Sequence, residues 1–200
     1  MPAALVTSHI PGSSRWLIAQ RHAAPSFRPW WRWLLTAVAF PPSGLLAHVV
    51  VGPVDSVMAA ALNGVIAGAG IGTAQWLLLR RWGVGVAWIL ATAAGLGTGL
   101  GLGAALVSYR TDIKSLALMG AVSGLGVGIA QAAMLDTVRG ALGWVVATAA
   151  LFALGWTITT AGGIDVSQQW AVFGAYGCTT VALVQSTFVR AMVADRRTGA

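Results

Sequence analysis

Three glutamines are the polar side chains whose type and spacing best suit chemistry in this largely apolar sequence. Gln75, Gln131 and Gln185 each follow a series of small residues at the same distance, inside an apolar stretch. An amide both donates and accepts hydrogen bonds. Three equivalent amides could line a site for a polar small molecule, or each could bond a neighbouring helix and fix its register. We favour the second interpretation, and the first stays open.

An acidic residue precedes each of these small-residue series, and one histidine stands in an apolar stretch. Asp55, Asp112 and Asp165 are expected to cap helix N-termini, where a carboxylate accepts hydrogen bonds from unpaired backbone amides. The functional alternative is that three carboxylates around one axis attract a cation. His48 is expected to bond backbone freed by nearby prolines, with proton or ligand binding as the alternative.

Few residue types that support catalysis or metal binding are present. The chain has no Glu, and Cys178 is its single cysteine, so neither an internal disulfide nor a cysteine-type zinc site can form. No nucleophile stands with a base at a suitable spacing. We therefore expect no enzymatic activity, no cofactor and no metal. The net charge of +7 does not indicate nucleic-acid binding, because the Arg residues border apolar runs instead of forming one solvated face.

The elements that must position these residues are membrane helices. Only 8% of the residues are charged and 57% are hydrophobic, whereas soluble domains carry about 25% charged residues. Each of six apolar runs is long enough to cross about 30 Å of hydrocarbon, and Pro41-Pro42 should kink or break the first of them. The runs cover residues 31–51, 57–79, 86–107, 115–135, 141–162 and 169–191.

The six runs form three copies of one two-helix unit. The odd-numbered helices begin at Trp33, Trp88 and Trp144, each followed by Thr and Ala. The even-numbered helices carry small residues and then Gln at spacings of four, four and three. These positions share one face of a helix, which permits close helix packing in lipid. The small residues are Gly64, Gly68 and Gly72, then Gly120, Gly124 and Gly128, then Gly174, Cys178 and Ala182.

The predicted fold is an all-α integral membrane protein, with six transmembrane helices arranged as three repeated hairpins in a pseudo-threefold bundle. The hairpins cover about 31–80, 84–138 and 141–192, after a basic arm at 1–30 and before a tail at 193–200. The sequence leaves open whether the glycine faces lie inside the bundle or at seams between the hairpins.

The basic residues predict the orientation of this bundle. Ten of the twelve Lys and Arg residues fall on one side of it, which places both termini in the cytoplasm, at the inner membrane of a bacterium. Many tryptophans lie near the same side and are expected to form an aromatic belt at headgroup level. They are Trp30, Trp31, Trp33, Trp76, Trp82, Trp88 and Trp144.

The sequence around the first glutamine resembles a group of known proteins. Residues 74–81, with the sequence AQWLLLRR, continue into the helix start from Trp88 to Ala93. This pattern is similar to that of uncharacterised bacterial multi-pass membrane proteins with repeated Gly-rich hairpins. The resemblance covers roughly residues 60 to 160, and the fourth helix departs from it with AAMLD at 132–136. It implies a fold and a membrane location, but no activity, because none is known for that group.

Two functions remain compatible with the sequence. The first, which we favour, is a structural or accessory membrane subunit. Its glycine-rich faces would pack against its own helices, other membrane subunits or a second copy. The second is a small-molecule binding or translocation protein, a transporter or substrate-capture subunit, with a cavity between the hairpins. Both require the lipid bilayer as a partner. A cavity lined by the three glutamines would support the second function, and a filled interior would support the first.

Overall fold

The chain is helical over most of the part that the structure describes. This structure, a computed structural model, describes residues 30–135 and 138–198, and no strand occurs in these two ranges. Side chains are described for residues 31–135 and 139–190. The basic arm that we predicted at residues 1–30 therefore lies, apart from Trp30, outside the described residues.

Six α-helices and two 3₁₀ segments lie in these ranges. A 3₁₀ helix at Trp30–Ala39, called the leading segment below, runs directly into the first α-helix, and a 3₁₀ turn at Arg80–Trp82 follows the second. The winding changes at the start of the first α-helix because Pro41 and Pro42 occupy its first turn, where their missing amide protons are not needed. The α-helices are α1 (Phe40–Val51), α2 (Val57–Leu79), α3 (Ala87–Leu106), α4 (Ile113–Ala132), α5 (Val138–Ala161) and α6 (Ala175–Thr198).

Within the part of the chain that the structure describes, five helices are long and apolar enough to cross a membrane. They cover Trp31–Val51, Val57–Trp82, Ala87–Leu106, Ile113–Ala132 and Arg139–Ala161. Helix α6 is not among these five, and it includes Gln185 and Arg190. The outer surface is apolar, because Val38, Leu90 and Val146 are each more than two-thirds exposed. An apolar outer surface of this kind is stable in lipid, and these helices are consistent with a multi-pass membrane protein.

The helices form a ring in chain order. Each helix packs against the next one along the chain, and α6 returns to pack against the leading segment. Contacts between the two ends of the described chain therefore close the ring. Helix α3 has the largest buried share of the five apolar helices, because one set of its glycines lies against α4 and another against α2.

The connection between α5 and α6 differs from the predicted helix start at residue 169. Helix α6 begins at Ala175 instead, and it continues to Thr198, beyond the predicted end of the membrane domain at 192. Before it, the Phe173 ring lies 5.2 Å from the rings of both Phe40 and Phe152. The Gly174 amide donates to Thr159 Oγ1 at 3.0 Å. These contacts hold residues 162–174 in a non-helical path, which explains the late start of α6.

Candidate functional site

The glycine face of α2 lies against α3, at the seam between the first and second hairpins. A Cβ added at Gly64 would lie 2.6 Å from Leu96 O, and one at Gly68 would lie 2.7 Å from Thr92 O. At Gly72 the nearest atom would be Thr92 Cβ, at 2.9 Å. No side chain larger than hydrogen fits at these distances, so the backbones of the two helices are in direct contact.

The glycine face of α4 lies in the same way against α5, between the second and third hairpins. A Cβ at Gly120 would lie 2.7 Å from Phe152 O, and one at Gly124 would lie 2.5 Å from Thr148 O. One at Gly128 would lie 2.9 Å from Val145 Cα. Both glycine faces therefore lie at seams between hairpins, which is one of the two placements that the sequence left open.

The corresponding face of α6 is packed differently. A Cβ at Gly174 would meet Ile164 and Thr159, which belong to the same hairpin. Cys178 and Ala182 are buried, in the helix that packs against α5 and the leading segment. These two residues carry a Cβ, so glycine-type backbone contact is absent at their positions, whereas the neighbouring Gly177 lies directly against the backbone of α5 at Gly155.

One helical turn beyond its glycine face, Gln75 accepts two hydrogen bonds. The indole Nε1 of Trp88 donates to Gln75 Oε1 at 3.0 Å, and Gln131 Nε2 donates to the same oxygen at 3.1 Å. All three side chains are buried. The bond from Trp88 crosses the first seam, and the bond from Gln131 joins α4 to α2 across the interior of the ring.

Gln131 repeats this arrangement at the second seam. The indole Nε1 of Trp144 donates to Gln131 Oε1 at 2.9 Å, and Gln131 Nε2 also donates to Thr92 Oγ1 at 2.8 Å. The Thr92 hydroxyl in turn donates to Trp88 O at 2.7 Å. Two amides, two indoles and one hydroxyl thus form one neutral network that joins α2, α3, α4 and α5. We call it the glutamine layer.

Three of the tryptophans predicted for the aromatic belt do not face the surface of the ring. Trp33, Trp88 and Trp144 are buried inside it, whereas Trp31 is about half exposed. The glycine contacts bring the end of each even-numbered helix close to the start of the next hairpin, which places the amide within reach of the indole. A constant separation of 13 residues between donor and acceptor was present in the sequence and could have revealed both pairs.

Gln185, the third predicted member, is not joined to this network. It is 4% exposed in α6 and makes no side-chain hydrogen bond to a described residue. Trp33 Nε1 and Thr148 Oγ1 are among the buried groups that also lack a partner within the described part of the chain. The structure therefore brings two of the three predicted glutamines together.

At the end of the ring opposite the glutamine layer, residues 162–174 cross the space between the helices. Val54 N donates to Gln169 O at 3.0 Å, and Gln169 Nε2 donates to Tyr109 O at 3.1 Å. These two bonds tie the loop to the connections that follow α1 and α3. Together with the buried Phe173 ring, they close this end of the ring with protein atoms.

His48 lies near this closed end and not near the glutamines. Its ring centroid is 4.5 Å from that of Trp170, and its buried Nδ1 has no hydrogen-bond partner in residues 30–135 and 138–198. The predicted bond to freed backbone is therefore not formed, because the prolines stand in the first turn of α1 and free no carbonyl near His48. Asn63 makes a contact of that kind instead, donating to Gly52 O at 3.0 Å.

The three aspartates differ in what they cap. Asp112 caps α4, because Oδ1 accepts from Ser115 N at 3.1 Å. The cap of α2 is Ser56 and not Asp55, since Ser56 Oγ reaches Ala59 N at 3.2 Å. Asp165 Oδ1 accepts from Ser167 N at 2.9 Å, so it closes a turn ten residues before α6 begins. No group of three His, Cys, Asp or Glu side chains that could hold a metal occurs in the described residues.

The cap at Asp112 predicts a pH-dependent contribution to stability. Hydrogen bonds from the Ser115 hydroxyl and amide hold the pKa of Asp112 below its ordinary value, which is about 3.9 in unfolded chains. A lowered pKa stabilises the fold above about pH 4, and this contribution is lost as the pH falls through the folded value. We expect Asp112→Ala to lower the melting temperature at pH 7 and to lower it less at pH 3. Asp55→Ala, which removes no such bond, should change neither value, and an equal loss in both variants would contradict the assignment.

The glutamine layer is a neutral hydrogen-bond network and contains no ionisable side chain to move a proton or attract an ion. Its members are amides, indoles and hydroxyls. Comparisons with protein-family models, with curated proteins and with solved structures found no match for this chain.

Proposed function

We propose that this chain is a non-enzymatic, six-span membrane protein whose three hairpin repeats close around a filled interior, and that it acts as a structural or accessory subunit. The observation that carries the proposal is the pairing inside the glutamine layer. Gln131 donates both protons of its amide, and the Gln75 oxygen accepts twice. These groups are hydrogen-bonded to other groups of the protein and are not free to bind a ligand.

Aromatic rings fill the space between the hairpins. Trp33, Phe40, Trp88, Trp156 and Phe173 are each at most 2% exposed. Phe173 stacks on Phe40 of the first hairpin and meets Phe152 and Trp156 of its own hairpin edge-on, and such pairs add to the stabilisation from burial. A core packed with large rings supports a structural role more than it supports a channel.

The sixth span and the threefold repeat belong to the same proposal. Helix α6 has 24 residues, a length of about 36 Å at 1.5 Å per residue. Its apolar part, from Ala175 to Val189, accounts for about 22 Å, and the mostly apolar residues 169–174 before it would complete the sixth span. With six spans, Arg80, Arg81, Arg139 and Arg190 fall on one side, so both termini lie in the cytoplasm of a bacterial cell. The resemblance to multi-pass proteins with Gly-rich hairpins agrees with this arrangement and adds no activity to it.

The orientation predicts where fused reporters work. Alkaline phosphatase, which is active only outside the cytoplasm, should be active when fused after Asp165 and silent when fused after Arg81 or at the C-terminus. A fluorescent protein that folds only in the cytoplasm serves as the control and should show the opposite pattern. Phosphatase activity at the C-terminus would mean that α6 does not cross the membrane.

One observation favours the second function, the binding of a neutral small molecule between the hairpins. Trp33 Nε1 and Thr148 Oγ1 are buried, and neither bonds to a described residue. Buried polar groups normally have a partner in protein or water. An acceptor group on a ligand would provide one for the indole.

Crosslinking in living cells tests the accessory function. A photoreactive amino acid is placed singly at Val38, Leu90 or Val146, three outward positions that belong to three different hairpins. An accessory subunit should give one discrete protein adduct at one or two of these positions, whereas the buried position Ala67 should give none. The absence of protein adducts at all three positions would contradict the accessory function. Native mass spectrometry of the same preparation would then show whether a small molecule is bound instead.

A further inference from the structure

The seam between α6 and the leading segment, called the third seam below, lacks the glycine contacts of the other two. At the first and second seams, a Cβ at Gly68 or Gly124 would lie 2.7 or 2.5 Å from a backbone oxygen of the next hairpin. The repeat places Cys178 at the equivalent position of α6. Because Cys178 has a Cβ, the close backbone contact through glycine that holds the other two seams is absent at this position of α6.

The third seam also lacks the hydrogen bond that crosses each of the other two. Trp88 donates to Gln75 at the first seam, and Trp144 donates to Gln131 at the second. In both pairs, the Gln at the end of one hairpin bonds the Trp at the start of the next hairpin around the ring. The same register pairs Trp33 with Gln185. The Trp33 ring is fully buried, yet its Nε1 has no partner among the residues that the structure describes.

The same correspondence between hairpins predicts a partner for a second unpaired group, the hydroxyl of Thr148. At the second hairpin, Gln131 Nε2 donates to Thr92 Oγ1, so at the third hairpin Gln185 Nε2 should donate to Thr148 Oγ1. Thr148 is fully buried, and this hydroxyl also lacks a partner in the described chain. The two unpaired groups thus share one expected partner, Gln185, which lies in the helix that packs against both the leading segment and α5.

The winding of the leading segment supports this register. Thr36 follows Trp33 by three residues and donates to its carbonyl, whereas Thr92 follows Trp88 by four and makes the same bond. A 3₁₀ helix has about three residues per turn and an α-helix 3.6. The 3₁₀ winding therefore keeps Trp33 and Thr36 on one face, although they are one residue closer in sequence than Trp88 and Thr92. This is the arrangement that the first hairpin needs if it is a copy of the second.

We propose that Gln185 is a latch that closes the third seam, and that the ring opens sideways toward the lipid at this seam. In the latched state, Gln185 Oε1 accepts from Trp33 Nε1 and Gln185 Nε2 donates to Thr148 Oγ1. In the structure the two sides of this seam are in contact, but these two groups are not bonded to Gln185. The other seams are held by backbone contact and by paired amides, so opening is concentrated where both are missing. The register of the latch rests on the threefold repeat of the proposed function.

Indole resonances test the latch separately from the repeat. The protein is labelled with ¹⁵N and studied in lipid nanodiscs, and the indole N–H signals of Trp33 and Trp144 are assigned with Trp→Phe variants. Gln185→Leu should shift the Trp33 signal and speed its exchange with solvent, as Gln131→Leu, the matched control, should do for Trp144. The remaining indole signals report whether each variant is folded.

The outcomes separate the two proposals. If Gln131→Leu moves the Trp144 signal while Gln185→Leu leaves the Trp33 signal unchanged, the latch is wrong and the repeat stands. If neither variant moves its signal, the glutamine layer is wrong, and the latch falls with it.

The buried thiol of Cys178 reports the opening itself. With N-ethylmaleimide in nanodiscs, Gln185→Leu should speed the modification of Cys178 about tenfold, the factor expected from losing one to two net hydrogen bonds. The control places the only thiol at Ser123, on the face of α4 that contacts Gly99 of α3, in a Cys178→Ser background. Its rate should not respond to Gln185→Leu. Equal Cys178 rates with and without Gln185 would overturn the sideways opening.

Discussion

Replacing Gly124 with Leu is expected to lower the melting temperature by about 10 °C or more. A Cβ at this position would lie 2.5 Å from Thr148 O and 2.8 Å from Phe152 Cβ. The first of these atoms belongs to the backbone of α5 and cannot turn aside, so the added side chain must push α4 and α5 apart. Separation of these helices also weakens the bond from Trp144 to Gln131, one turn farther along the same seam.

The measurement is thermal unfolding in detergent, followed by tryptophan fluorescence. Gly68→Leu should behave like Gly124→Leu, because its Cβ would lie 2.7 Å from Thr92 O. Gly143→Leu provides the matched control, since a Cβ at Gly143 would have nothing within 4 Å, and it should melt within about 2 °C of the wild type. Melting of Gly124→Leu at the wild-type temperature would refute close packing at the seams.

The elements that could be predicted from sequence are those that local composition determines. Uninterrupted apolar stretches predicted the five helices that are long and apolar enough to span, including the one that starts at the leading segment. The spacing of Gly120, Gly124 and Gly128 predicted a common face, because helical geometry alone decides which residues share a face. The N-cap at Asp112 could be predicted for the same reason, since its partner is only three residues away.

The features that could not be predicted depend on contacts between distant residues. The late start of α6 follows from the burial of Phe173 against rings of α1 and α5. Hydropathy cannot distinguish an apolar loop that folds into the protein from the first turns of a helix. Ser56 and not Asp55 caps α2, because a shift of one residue in the helix start decides which side chain reaches the backbone amide of Ala59.

Only the amides of the polar network could be predicted from the sequence. Its amides stood out because Gln is rare in apolar stretches, but their partners did not, since Trp is common at membrane interfaces. The acceptor of the Trp88 indole depends on which helices meet at a seam. That arrangement comes from the whole ring and not from any single hairpin, which is why Trp33, Trp88 and Trp144 were assigned to an aromatic belt.

Replacing Gln131 with Leu is expected to lower the free energy of unfolding by about 3 kcal/mol. The change removes the acceptor of the Trp144 indole and the donor to Gln75 and Thr92, and it leaves a buried indole N–H unpaired. Trp144→Phe removes that donor, so the double variant should be about 1 kcal/mol more stable than the sum of the single effects. Gln168→Leu, at an exposed position, serves as the control and should cost little. Strictly additive effects would show that the amide and the indole are not bonded, and that the glutamine layer does not join the second hairpin to the third.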